Sequence, residues 1–211
     1  QTKSFFALLL LISITYTKIK GNKMKFFKLG LASLAVSTAL FAGTYNVDAG
    51  HTNAGFTVKH MMITNVTGKF NDVAGAFEFD EKTNTLKSIN GEIIVASINT
   101  ANEKRDEHLK AEDMFDVAKF QKITFKSTKI EKDAVYGDFT MKGVTKNIKL
   151  DLETSSVIKD PWGKQRTGFS LNGKIKRSDF GIVWNKALET GGVAVSDDVK
   201  LAIDIEGVLA Q

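Results

Sequence analysis

Side chains suited to chemistry are few in this chain of 211 residues: three histidines, His51, His60 and His108, and no cysteine. Without cysteine there is no disulfide framework, no thiol nucleophile and no thiolate metal site. The histidines are scattered and lack the HExxH or close HxH spacing that sets two imidazoles on one ion, so no metal is expected. No Gly-x-Ser-x-Gly elbow, Walker loop or dinucleotide fingerprint occurs. The neighbouring carboxylates Glu112-Asp113 and Asp197-Asp198 read as solvated faces or turn formers rather than an acid/base couple. Catalysis and a cofactor therefore have no motif behind them. One polar grouping stands out: at helical spacing Arg105 and His108 share a face with Ala101, Leu109 and Glu112.

Those residues need a scaffold, and the rest of the chain spells strands. Period-two alternation recurs in Phe56, Val58 and His60; in Val73, Gly75, Phe77 and Phe79; in Ile123, Phe125 and Ser127; and in Ile148, Leu150 and Leu152. It returns in Phe169, Leu171, Gly173 and Ile175, and in Val199, Leu201, Ile203 and Ile205, interleaved with Lys149, Asp151, Lys200 and Asp204. Strands with one dry and one wet face belong to antiparallel sheets. The expected class is all-β, an antiparallel barrel or sandwich of eight to ten strands, and an eight-stranded barrel is just wide enough for side chains or one small ligand. Small residues at Gly68, Gly75, Gly137 and Gly173 would either leave room inside or mark bends. A single substantial helix is expected from the capping-box spelling Thr100-Ala-Asn-Glu103 to about Phe115, with an Asp106 to Lys110 pair. Its narrow, mostly polar face suits a lid or brace across the barrel end, with Met114 and Phe115 pinning its exit.

The formal net charge of +5 suggests nucleic acid only until its distribution is read. Residues 1–42 hold six of the 29 basic side chains and no acid, leaving 23 against 24 acidic residues and a net charge of −1. No nucleic-acid partner is expected of that remainder. From Met24 the chain reads Met-Lys-Phe-Phe-Lys, then an apolar run from Leu29 to Phe41 and Ala42-Gly43. This is the form of a secretory signal peptide at 24–42, too short in its apolar part for the ~20 residues a spanning helix needs. Cleavage is expected after Ala42. Residues 1–23 read as translated upstream sequence, since Lys20 to Met24 back-translates to a purine-rich ribosome-binding site before an ATG. The alternative for that stretch is a genuine N-terminal anchor. Residues 43–211 form the expected working domain, placed in the periplasm with no stable membrane insertion after cleavage.

Four ordered blocks go beyond propensity: His51-Thr-Asn-Ala-Gly-Phe56-Thr-Val-Lys-His60 with Val66-Thr-Gly68-Lys-Phe70; Arg105-Asp-Glu-His108-Leu109 to Met114-Phe115-Asp116 and Phe120 to Phe125; Gly137 to Lys146; and Lys176-Arg177-Ser-Asp179-Phe180-Gly181-Ile182. Together they resemble the YceI-like family, from about Tyr45 to the C-terminus. The resemblance implies an eight-stranded antiparallel lipocalin-like barrel with an apolar tunnel, the Arg105 helix near its mouth, and an amphiphilic lipid as partner. A polyisoprenoid, an isoprenoid quinone or a fatty acid derivative would fit; a homodimer is implied only as an option of the family. The chain departs from the family pattern at Ala49, where proline is usual, at Asn53 and at Lys59. On this reading Phe56, Val58, Phe70, Phe77, Phe79, Phe125, Phe139, Phe169 and Ile175 supply the lumen, and His60, Arg105 and His108 meet the headgroup. Each of these phenylalanines is alternatively plain core, and Arg105 and His108 are alternatively a structural ion pair with Asp116 or Glu112. The competing functions are a lipid or isoprenyl hydrolase with His108 as base, and a small outer-membrane barrel, which would need an apolar outer band.

Overall fold

The structure is a computed structural model that describes residues 42–189 and 191–211. The segments read as upstream sequence and signal peptide lie outside the described residues, save for Ala42.

Eleven of twelve hydrogen-bonded segments build eight walls, because three walls are each broken once. The first wall is β1 (Gly43–Val47) and β2 (Asn53–His60), the second β3 (Thr64–Phe70) and β4 (Val73–Asp80), the third β5 (Thr85–Ile94) and β6 (Ile98–Asn99). Then follow β7 (Lys122–Ile130), β8 (Ala134–Met141), β9 (Val144–Thr154), β11 (Gln165–Lys176) and β12 (Val195–Leu209), with the short arm β10 (Ile158–Lys159) paired to β11. Every wall pairs antiparallel with its neighbours in sequence, and β12 closes the ring on both halves of the first wall, Tyr45 opposite Leu209 and Phe56 opposite Leu201. This is the eight-stranded antiparallel barrel expected. The breaks have local causes. Asp48 caps a turn at Ala49–His51 by accepting from the Gly50 amide, and Ser97 fastens two breaks together by accepting from the Asp72 amide while donating to the Ile94 carbonyl.

Alternation sorts the side chains as the sequence predicts: Phe169, Leu171 and Ile175 are buried while Lys149, Asp151, Lys200 and Asp204 are exposed. An apolar inside and a charged outside reverse the distribution that a membrane-spanning barrel requires. Among the described residues no helix is long and apolar enough to cross a membrane.

The glycines do not leave room inside. A Cβ on Gly68 would strike the Phe56 ring, and one on Gly137 the Phe125 ring, so each glycine is the floor on which a cross-strand aromatic lies. Gly75, at φ +144, instead sits against the Asn90 carbonyl in a backbone close approach.

The one α-helix among the described residues, α1 (Glu103–Lys110), begins two residues later than expected and stops short of Phe115. Asn102 is its N-cap, accepting from the Arg105 amide at 3.0 Å. Thr100 is taken up by Asp106, whose Oδ1 accepts from both the Thr100 amide (2.9 Å) and hydroxyl (2.6 Å). The pair from Asp106 to Lys110 is therefore absent, and Lys110 bonds Glu107 instead. Past Lys110 the chain turns, with the Phe115 amide donating to the Leu109 carbonyl, and Lys142 in the β8–β9 turn clamps this segment by donating to the carbonyls of Glu112 and Met114.

Candidate functional site

The barrel has two unlike ends. At one, Tyr45, Phe77 and Phe79 are at most 1% exposed and pack with Leu86, Val135 and Phe169. Tyr45 stacks on Phe77 at 5.4 Å, and Phe77 meets Phe169 edge-on at 5.0 Å. The Tyr45 hydroxyl donates to Glu81 at 3.0 Å; burial and then this carboxylate push the phenol up to about 12. The β4–β5 turn thus lies over a solid plug.

At the other end the β2–β3 hairpin, α1, the β8–β9 turn and the long β11–β12 connection surround a cavity of about 280 Å³. Its walls include Phe56, Val58, Phe70, Phe139 and Ile175 from the strands and Leu109 from α1, with His60, Arg105 and His108 at its edge. Of the twelve residues expected to bind ligand, these eight strand and helix residues other than Leu109 meet at one cavity. Phe125 and Phe169 line a smaller neighbouring cavity of about 70 Å³, and Phe77 and Phe79 belong to the plug.

The polar edge is held by local bonds rather than by the ion pairs considered from sequence. Arg105 donates through Nε to the Thr100 hydroxyl (2.7 Å) and through Nη2 to the Thr100 carbonyl (2.8 Å). Asp116 and Glu112 face Lys119. His108 Nε2 lies 3.1 Å from Asp113 Oδ2, and its ring meets Trp184 edge-on at 5.0 Å. Thr100 supplies the one hydroxyl among the cavity-lining side chains, and its oxygen is already engaged by Arg105 and Asp106.

Sequence reasoning gave no role to Arg177, Ile182 and Trp184, which complete the cavity from the β11–β12 connection. Arg177 is buried and donates to the carbonyls of Ile182 (2.8 Å), Trp184 (2.7 Å) and Ser196 (3.0 Å), so one guanidinium holds that connection against the barrel. Burial lowers its pKa, though nothing approaches neutralising an arginine. The Lys176 to Ile182 block carries Arg177 and Ile182, while Trp184 lies just beyond it.

Sequence reasoning also missed a grouping of Asp48, His51 and Glu206, three metal-type ligands on the outer wall. Arg166 sits among them, donating Nη1 to Asp48 (2.7 Å) and to Glu206 and Nε to Asp160 (2.8 Å). A guanidinium already supplies the positive charge those carboxylates need, and the cluster is a latch between β11, β12 and the first wall. Asp48 is held down at about 2, first by Arg166 and then by His51.

Comparison with known proteins agrees with this architecture. Residues 45–207 match the YceI-like domain. A UPF0312 protein of Staphylococcus aureus (strain N315) is 40% identical over 163 residues, covering 77% of this chain and 95% of the relative. A Campylobacter jejuni YCEI protein is similar in structure at TM-score 0.62 and 38% identity, covering 78% of this chain and 96% of that one. A polyisoprenoid binding domain from Saccharophagus degradans shares the fold at TM-score 0.58 and 15% identity, covering 79% of this chain and 98% of its own. With the domain match spanning most of the chain and the barrel closed as described, this chain belongs to the YceI-like family.

Proposed function

We propose that the barrel is a binding protein for an amphiphilic lipid, whose isoprenoid or acyl tail enters the 280 Å³ cavity while its polar head stays beside His60, Arg105 and His108. The observation that carries this reading is the cavity itself, mostly apolar within and edged by Arg105 and two imidazoles, with the Arg177 guanidinium in its lining engaged by backbone carbonyls. Each buried methylene contributes ~0.8 kcal/mol, so tail burial dominates affinity and the edge selects the head. The fold shared with a polyisoprenoid binding domain supports an isoprenoid as one class of tail. Export by the segment at 24–42, with the barrel acting as a carrier in the periplasm, completes the proposal.

The test is native mass spectrometry of protein released by osmotic shock without detergent, followed by extraction and identification of any lipid. The expected result is a chain beginning at Gly43 with an adduct of isoprenoid or acyl mass. A bare protein that also fails to bind added isoprenoids and fatty acids would overturn the lipid reading. A chain still carrying residues 24–42 would overturn export by cleavage.

A further inference from the structure

Two guanidinium groups line the larger cavity, those of Arg105 and Arg177, and no aspartate or glutamate does. Their donors are spent differently. A guanidinium carries five N–H groups in a planar fork. Arg177 donates to four backbone carbonyls, those of Ile182, Trp184, Val195 and Ser196, and is consumed in holding the β11–β12 connection. Arg105 donates only from Nε and Nη2, to the hydroxyl and the carbonyl of Thr100. The Thr100 hydroxyl in turn donates to Asp106 Oδ1 at 2.6 Å, which leaves its lone pairs for Arg105. Nε–H and one Nη2–H lie along the side of the fork, so the end of the fork, formed by Nη1 and the other Nη2–H, stays open. Among the described residues no carboxylate pairs with Arg105 directly: Asp106 reaches it only through Thr100, while Asp113 faces His108.

We infer that the head of the ligand is an oxyanion, a carboxylate or a phosphate, received by the open end of the Arg105 fork that Thr100 and Asp106 hold in place. The inference rests on the tail-binding reading above and deepens it by naming the class of head. Arg105 is half-buried and always charged, and a charge drawn to the edge of an apolar cavity costs free energy until an opposite charge pairs with it. Two parallel N–H bonds at the end of a guanidinium match two oxygens of a carboxylate or phosphate, and such charge-assisted bonds are about twice as strong as neutral ones. A hydroxyl or a quinone carbonyl fills only part of the fork and leaves the charge unpaired. Arg177 has too few donors left to play the same part, so the selection of charge falls on Arg105. A fatty acid and an isoprenyl or alkyl phosphate are the two sources of such a head.

The experiment measures dissociation constants of the purified protein for dodecanoate, dodecyl phosphate and dodecanol, which share one tail and differ in the head, at about pH 8, where the carboxylic acid is ionised. The tighter of the two anions should bind about tenfold or more ahead of dodecanol, and which anion leads names the source of the oxyanion. In Arg105→Met that anion should lose about tenfold while dodecanol changes by less than about threefold, so the preference disappears. Arg105→Lys, which keeps the charge but not the fork, should retain only part of the preference and serves if the methionine variant does not fold. Dodecanol bound as tightly as both anions by the unsubstituted protein would overturn the assignment. An anion preference left whole in the variants would overturn it too, being the mark of a diffuse positive surface rather than of one fork. Failure of all three amphiphiles to bind would instead remove the tail-binding reading beneath it.

Discussion

The two halves of this barrel are made from the same residues to opposite effect. At the closed end, Phe77 and Phe79 alternate inward along β4, are joined by Tyr45 from the neighbouring strand β1, and are met across the lumen by Phe169 and Val135. At the open end, Phe56 and Val58 alternate inward along β2 and face a cavity. Strand pattern decides which side chains enter a barrel; what they meet there is decided by partners from distant walls. The plug therefore serves stability, and the open half gives up packing to leave space.

The largest effect expected from this comparison is at the plug. Phe77→Ala removes a ring that is 1% exposed and in contact with Tyr45 and Phe169, and should cost about 3–5 kcal/mol in urea unfolding. A loss no greater than that at an open-end phenylalanine would break the distinction.

Next comes the latch on the outer wall. The folded pKa of Asp48, about 2, lies below the ~3.9 of an unfolded aspartate. Its contribution is thus complete above pH ~4 and lost as pH falls towards ~2, amounting to about 2 kcal/mol. Asp160 is lowered for the same reason, by Arg166, and acts in the same direction. Urea midpoints followed from pH 6 downwards should show this acid limb, and Asp48→Asn should flatten it while lowering stability at neutral pH.

The smallest expected effect is at the open end. Phe56 is only partly buried and already borders a void, so Phe56→Ala should cost about 1–2 kcal/mol, well under the usual loss for a fully packed ring. The same variant should change lipid affinity more than Phe77→Ala does, because Phe56 lines the cavity and Phe77 does not. Titration of a fatty acid into both variants tests the pair, and equal effects would erase the division of labour.

Much of this was legible in the sequence because period-two alternation states burial directly: Leu171 and Ile175 inward, Lys200 and Asp204 outward. The single helix was legible too, but its boundary was not. Thr100 spells a capping box with Glu103, yet Asp106 competes for both its amide and its hydroxyl, and Asn102 takes the cap. The gathering of His60, Arg105 and His108 at one end depends on β2 and the third wall delivering their loops to the same end, which follows from topology alone. Hollow and solid halves could not be told apart, since Phe56 and Phe77 look alike until the far wall is in place. Gly137 read as spare room or a bend because its occupant, Phe125, lies on the neighbouring strand.

The closure of the ring by β12 on β1 and β2 joins Tyr45 to Leu209, nearly the two ends of the described chain. Neighbouring walls can zip together as a meander while the polypeptide is still growing, but the seam waits for the last residues. Contacts that distant in sequence slow folding and leave sheet edges exposed in the interval. Until the seam forms there is no interior: Phe56 and Phe77 alike lie on one face of an open, curling sheet. A chain that becomes a container only in its final step offers no enclosed cavity for any ligand to enter until that seam is made.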